Sequence, residues 1–169
     1  GGRFPFVTGF WHYARGLAQI RAGRLDAAEA EAAAIDALIE GAEFGGLEEQ
    51  FLPARQVLMV ARNVVLARIA AAARDWQGAE KLLRAAAEIE QGFGYMEPPY
   101  WYYPVRQTLG AVLLAAGRPG EAVAAFEAAL KQMPRNGWAL WGLIRAKRAA
   151  GQDVTAAEAA FARAWLGDT

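Results

Sequence analysis

Apolar residues recur every three to four positions along most of the chain, which is the spacing that keeps them on one face of an α-helix. Alanine-rich stretches at 27–37 and 67–73 add helix propensity, because alanine loses no side-chain entropy in a helix. The pattern predicts helices near residues 8–22, 25–41, 53–73, 76–91, 100–116, 119–132, 137–150 and 155–166. We therefore expect an all-α fold.

The polar and turn-forming residues between these segments predict where the helices begin and where the chain is interrupted. Asp75 and Asn136 are suited to cap helix N-termini, and Thr155-x-x-Glu158 has the spacing of a capping box. Glycine and proline mark two insertions, near 42–52 and 91–99. A short helix is possible in the first of them.

Small and aromatic residues repeat at fixed offsets in the predicted hairpins. The clearest unit runs from Tyr103 to Pro134 and carries Leu109-Gly110, Gly117, Ala122, Phe126 and Ala129. These offsets resemble the tetratricopeptide repeat. Weaker copies have their turn positions at residues 23, 74 and 151, and the units lie near 9–42, 53–91, 100–134 and 136–166.

The resemblance implies a right-handed superhelix of about four stacked helix-turn-helix hairpins in a single domain, 1–169. Three segments, 97–106, 11–16 and 136–138, are also similar to the C-terminal half of larger bacterial tetratricopeptide proteins of unassigned function. This second resemblance implies a fragment that lacks N-terminal repeats.

The composition argues against catalysis and against nucleic-acid binding. The chain has no serine and no cysteine, and His12 is its one histidine, so the usual nucleophile–base pairs and metal-ligand clusters are not expected. Lys and Arg together number 18, as do Asp and Glu, which leaves no basic excess for phosphates. We expect no enzyme activity, no cofactor, no metal and no nucleic-acid partner.

The most apolar segment, 52–73, does not predict a membrane span. Arg55, Arg62 and Arg68 interrupt it at intervals of six or seven residues, which indicates an amphipathic helix with an arginine edge. No secretory signal precedes it, so a cytoplasmic location is favoured while the compartment stays unknown.

Repeat solenoids bind partners on the concave surface formed by the first helix of each hairpin. Trp138, Trp141, Arg145 and Arg148 follow one helical face at i, i+3, i+7 and i+10. Indoles beside guanidiniums suit acidic or aromatic ligands. The alternative is that both indoles pack against the preceding hairpin while the arginines are solvated. The repeat offsets also direct Tyr13, Arg68 and Gln107 toward this side.

The aromatic run 100–103 is the second candidate site. Four consecutive aromatic residues cannot all face one core from a helix, so some of them line a cleft, cover the 91–99 loop or meet a partner. Tyr102 and Arg106 are the candidates in this run. They either contact a ligand or hold the loop in place.

Three functions follow in order of preference. The first is a non-enzymatic scaffold that binds a peptide or protein segment on the concave face. The second is a small-molecule module whose pocket is closed by the 91–106 segment against Tyr13 and His12. The third is a structural unit that self-associates through its terminal helices, because the last predicted helix exposes an apolar face up to Leu166.

Overall fold

A computed structural model describes residues 4–165 of the chain. This range contains nine helices and no strand, which confirms the predicted all-α repeat fold. The helices are α1 Pro5–Arg21, α2 Leu25–Gly41, α3 Gly45–Glu48, α4 Ala54–Ala72, α5 Trp76–Gln91, α6 Val105–Ala115, α7 Pro119–Gln132, α8 Gly137–Ala149 and α9 Thr155–Ala164. Leu166, assigned to the last helix from the sequence, lies outside the described residues.

The helix predicted from residue 100 begins five residues later, at Val105. Pro104 is its N-cap, and the residue before a proline is disfavoured in the α region because the proline ring crowds it. The run 100–103 is therefore bent rather than helical. In the first insertion, the short helix α3 is present.

The chain divides into two compact units, the first ending at Tyr102 and the second beginning at Tyr103. The first unit contains the hairpins α1/α2 and α4/α5, and α4 packs against both helices of the first hairpin. The second contains α6/α7 and α8/α9, and α8 packs in the same way against α6 and α7. The assignment of 1–169 to a single domain stays a prediction.

All four hairpins turn through one residue in the left-handed backbone region. These residues are Gly23, Arg74, Gly117 and Gly151, with φ between 62° and 75°. At Gly117 the backbone N–H donates to the carbonyl of Leu114, and the N–H of Arg118 donates to that of Leu113. The other three turns repeat these two bonds, which satisfy carbonyls at the helix end. Arg74 therefore occupies the turn position predicted for it, although it carries a side chain there.

Close helix packing depends on glycines opposite bulky side chains. The ring of Phe126 is buried between α6 and α8, where a Cβ on Gly110 would lie 2.9 Å from it and a Cβ on Gly142 only 2.4 Å. In the first unit, a Cβ on Gly9 would lie 2.4 Å from the Leu58 side chain. These glycines let the first helices of successive hairpins approach each other.

The predicted N-caps are confirmed at α5 and α8. The Asp75 side chain accepts a hydrogen bond from the Gly78 N–H, and that of Asn136 from the Ala139 N–H.

The capping box predicted at Thr155 is wrong. The Thr155 hydroxyl donates instead to the Asp153 carboxylate, at 2.7 Å, and the Thr155 N–H donates to the same oxygen. The Asp153 carboxylate accepts these bonds because its short side chain reaches the backbone two residues ahead, as in an Asx turn. Glu158 is directed to the Arg148 guanidinium.

The turn geometry predicts opposite effects for two nearby glycines. Gly117→Ala should lower the free energy of unfolding by about 1 kcal/mol, because alanine is strained at positive φ. Gly120→Ala, in the first turn of α7 with open space around it, should raise that free energy by about 0.5 kcal/mol. Arg74→Gly should also stabilise the protein. Urea unfolding followed by circular dichroism measures all three, and a stabilising Gly117→Ala would contradict the turn assignment.

The Phe126 contact predicts a non-additive pair. Gly142→Ala should cost about 1–3 kcal/mol of unfolding free energy, because the new methyl group overlaps the ring. In the double variant with Phe126→Leu, the smaller side chain leaves room for that methyl group. The cost of Gly142→Ala should then fall by at least about 0.5 kcal/mol. Equal costs in both backgrounds would show that the ring does not limit the approach of α8.

Candidate functional site

Four side chains form an exposed surface along α8, which we call the Trp/Arg face: Trp138, Trp141, Arg145 and Arg148. The remaining positions in the middle of α8 are mostly buried against α6 and α7. Trp138 is 62% exposed and Trp141 is 45% exposed, so neither indole is enclosed by the preceding hairpin. Both arginines are exposed as well.

The two arginines of the Trp/Arg face differ in their electrostatic surroundings. Arg148 forms an ion pair with Glu158 of α9, which offsets its charge. The guanidinium of Arg145 lies over the Trp141 ring, with its Cζ atom 4.7 Å from the ring centroid. Arg145 has no carboxylate partner among residues 4–165. It is therefore the available positive charge on this face.

Aromatic contacts border the Trp/Arg face at the start of α8. The Trp138 ring meets the Trp165 ring edge to face at 5.2 Å, and Trp165 stacks on Phe161 of α9 at 5.3 Å. Trp165 also closes on Gly137, where a Cβ would lie 2.7 Å from its ring. These contacts orient Trp138 while leaving most of its surface open.

Gln107 supports the Trp/Arg face from α6. Its side-chain oxygen accepts a hydrogen bond from the Asn136 amide at 2.8 Å, and the Asn136 oxygen caps α8. Gln107 thereby fixes the turn from which Trp138 projects. Arg106, its neighbour on α6, is half-buried. Sequence analysis placed Gln107 in the site as a residue that contacts the partner. In the structure its side chain holds Asn136, the N-cap of α8.

Tyr13 and Tyr102 come together in the first unit, but Tyr13 is not a surface residue. Tyr13 is buried, and its hydroxyl oxygen lies 2.8 Å from that of Tyr102, which remains exposed. Trp101 is buried against the Tyr13 ring at 5.4 Å and the Phe10 ring at 6.2 Å. Trp101 thus packs against Tyr13, one of the two residues beside which sequence analysis placed a ligand pocket. Arg68 is exposed on α4.

A charged cluster lies beside this aromatic group. Glu31 of α2 is buried, and its carboxylate lies 2.6 Å from Nδ1 of His12 and 2.8 Å from Nε of Arg15. Arg15 also lies over the Trp11 ring, 4.3 Å from its centroid. The cluster joins α1 to α2 and leaves Trp11 exposed.

The first unit also contains a surface cleft of about 370 Å³. The two insertions supply its aromatic residues, Phe51 from the first and Phe93 and Tyr100 from the second, while α4 and α5 supply Gln56 and Glu88. Sequence analysis expected the 91–106 segment to close a pocket against Tyr13 and His12, neither of which lines this cleft, and it did not name Phe51, Gln56 or Glu88. The sequence feature that could have indicated this cleft is the presence of aromatic residues in both insertions.

In the part of the chain that the structure describes, no group of three or more His, Asp or Glu side chains is placed to hold a metal ion. Between residues 4 and 165, no helix is long and apolar enough to cross a membrane.

The comparison with known families agrees with the hairpin geometry. A family model of the tetratricopeptide repeat matches residues 113–168, the range that contains Phe126, Gly142 and the Trp/Arg face. No curated protein and no solved structure matches the chain.

The charged cluster predicts a stabilising role for Glu31. Glu31→Gln keeps the size of the side chain but removes the charge that His12 and Arg15 face, so it should cost about 1–3 kcal/mol of unfolding free energy. Glu29→Gln is the matched control, since Glu29 is exposed on the same helix and should change stability by less than about 0.5 kcal/mol. Similar urea midpoints for the two variants would show that Glu31 does not stabilise the contact between α1 and α2.

Proposed function

Taking the chain as a tetratricopeptide-repeat protein, we propose that it is a non-enzymatic scaffold that binds a peptide or protein segment on the Trp/Arg face. Tetratricopeptide repeats generally mediate protein–protein interaction. This face lies on the first helix of its hairpin, the side that the repeat offsets predict to be concave. The observation that carries the proposal is the exposure of two indoles on one helical face.

Exposed tryptophan supports an interface because its large apolar surface stays in contact with water, and covering that surface with a partner is favourable. Tryptophan and arginine are also the residues most enriched among interface hot spots. On α8 the two tryptophans precede the two arginines on one face, and the opposite side of the helix packs on the Phe126 ring through Gly142. A partner would therefore meet a rigid surface, and the scaffold would lose little conformational entropy on binding.

The chemistry of the Trp/Arg face favours a segment that combines an acidic and an aromatic or aliphatic side chain. Arg145 offers charge-assisted hydrogen bonds to a carboxylate, and its guanidinium is held in place over Trp141. The uncovered parts of Trp138 and Trp141 offer apolar surface beside that charge, toward the start of α8. Arg148 contributes less, because Glu158 already offsets it.

The other predicted site residues take lesser roles in this proposal. Gln107 keeps α8 in register through Asn136, and Arg106 lies next to it on the same helix. In the first unit, Tyr102 and Arg68 are exposed and accessible to a partner, whereas buried Tyr13 orients Tyr102 through its hydroxyl.

The proposal predicts a peptide preference that can be selected without knowing the natural partner. Panning a random peptide library on the folded chain should enrich sequences in which Asp or Glu lies within a few residues of an aromatic or aliphatic side chain. Trp141→Ala/Arg145→Ala should weaken the selected peptides by roughly 30-fold or more, the loss expected for a hot-spot pair. Fluorescence anisotropy of a labelled peptide measures the change.

Two control variants sharpen this experiment. Trp11→Ala removes an equally exposed indole that also lies under an arginine, so it should leave peptide affinity unchanged. Arg145→Glu should reverse the selected charge from acidic to basic. Peptides that bind the Trp141/Arg145 variant as well as the original chain would place the binding surface elsewhere.

A further inference from the structure

The cleft of the first unit has the features of a small-ligand site, and it shares no residue with the Trp/Arg face. Its aromatic wall is fixed by specific contacts: the Phe93 and Tyr100 rings meet edge to face at 5.8 Å. The Tyr100 hydroxyl donates to the Phe51 carbonyl at 2.6 Å, which ties the second insertion to the first. Since its hydroxyl is engaged, Tyr100 presents mainly its ring to the cleft.

Phe51 is held in an unfavourable backbone conformation at the rim of this cleft. Its φ is 66°, in the left-handed region, at the position after α3 where glycine normally ends a helix. Phe51 as a whole is 80% exposed. A phenylalanine there combines backbone strain with an uncovered apolar side chain, and such strained residues cluster at ligand-binding sites.

Two polar side chains in the cleft have unused binding capacity. Gln56 of α4 and Glu88 of α5 form no hydrogen bond or ion pair with any other residue in the described range 4–165. Arg84 lies one turn before Glu88 on α5, but its guanidinium is paired with the Glu80 carboxylate at 2.7 Å. Lys81 and Arg84 border Glu88 on the outer side of α5, but neither forms an ion pair with it, so the Glu88 carboxylate brings a negative charge to the cleft that the three aromatic rings line.

We propose that this cleft binds a small organic cation that carries a methylated ammonium group. The faces of aromatic rings attract such cations through their quadrupole, and a carboxylate supplies the full opposite charge. A hydrated inorganic cation gains little from the aromatic wall, and an anion is repelled by Glu88. The volume of about 370 Å³ falls at the lower end of the range for small-molecule sites.

Choline and its uncharged isostere 3,3-dimethylbutan-1-ol separate charge recognition from simple apolar binding. In an NMR titration of the folded chain, choline should shift the backbone amide signals of Gly92 and Gly94, which line the cleft. The uncharged isostere should bind at least about five-fold more weakly, as expected for losing both the cation–π and the carboxylate contribution. Equal affinities would overturn the proposal, as would the absence of any choline-dependent shift at these amides.

Variants on the surface of the cleft test the two contributions without threatening the fold. Glu88→Gln should weaken choline roughly three- to ten-fold, and Phe93→Leu, which keeps an apolar side chain but removes the ring, roughly two- to five-fold. Glu29→Gln removes the same charge from an exposed position on α2 and should leave choline affinity unchanged. If Glu88→Gln and Glu29→Gln behave alike, the cleft does not recognise charge and the proposal fails. None of these outcomes bears on peptide binding at the Trp/Arg face.

Discussion

A single helical hairpin cannot cover its own apolar face, and this constraint organises both units of the molecule. In each unit, the first helix of the second hairpin packs against both helices of the first, so α4 and α8 each hold the two hairpins of their unit together. Glycine opposite a large side chain makes this packing close enough, most clearly where Gly142 faces Phe126. What remains exposed on α8 is one narrow face, and that face carries the two indoles and two guanidiniums.

The same constraint explains which parts of the fold could be predicted from the sequence. Helix spacing and turn positions are local, and they appear in the amino-acid pattern even at Arg74, where the repeat offset rather than the residue type identifies the turn. Asp75 and Asn136 were predictable as caps because capping acts over three residues. The start of α6 and the bonding of Thr155 were missed because a nearby residue, Pro104 or Asp153, competes more strongly than the helical pattern suggests.

The candidate sites divide along the same line between local and distant contacts. The alignment of Trp138 with Arg145 follows from helical spacing alone, so the sequence was sufficient to propose it. The burial of Tyr13 was not predictable, because Trp101, which covers it, arrives from a position 88 residues away in sequence and outside any helix. Likewise, the cleft joins Phe51 to Tyr100 through insertions that obey no repeat offset.

The recurring turn geometry separates the parts of this chain that tolerate added sequence from those that do not. Each hairpin turn uses its two backbone hydrogen bonds to set the register of two helices, so an added residue there would displace every contact between them. The connections after α2 and α5 already differ in length, and a Cβ added at Gly45 or Gly46 would meet nothing within 4 Å. A fluorescent reporter or an affinity tag grafted at Gly45–Gly46 would interrupt the short helix α3, but it would leave the four hairpin turns and the helix pairs that they join unchanged.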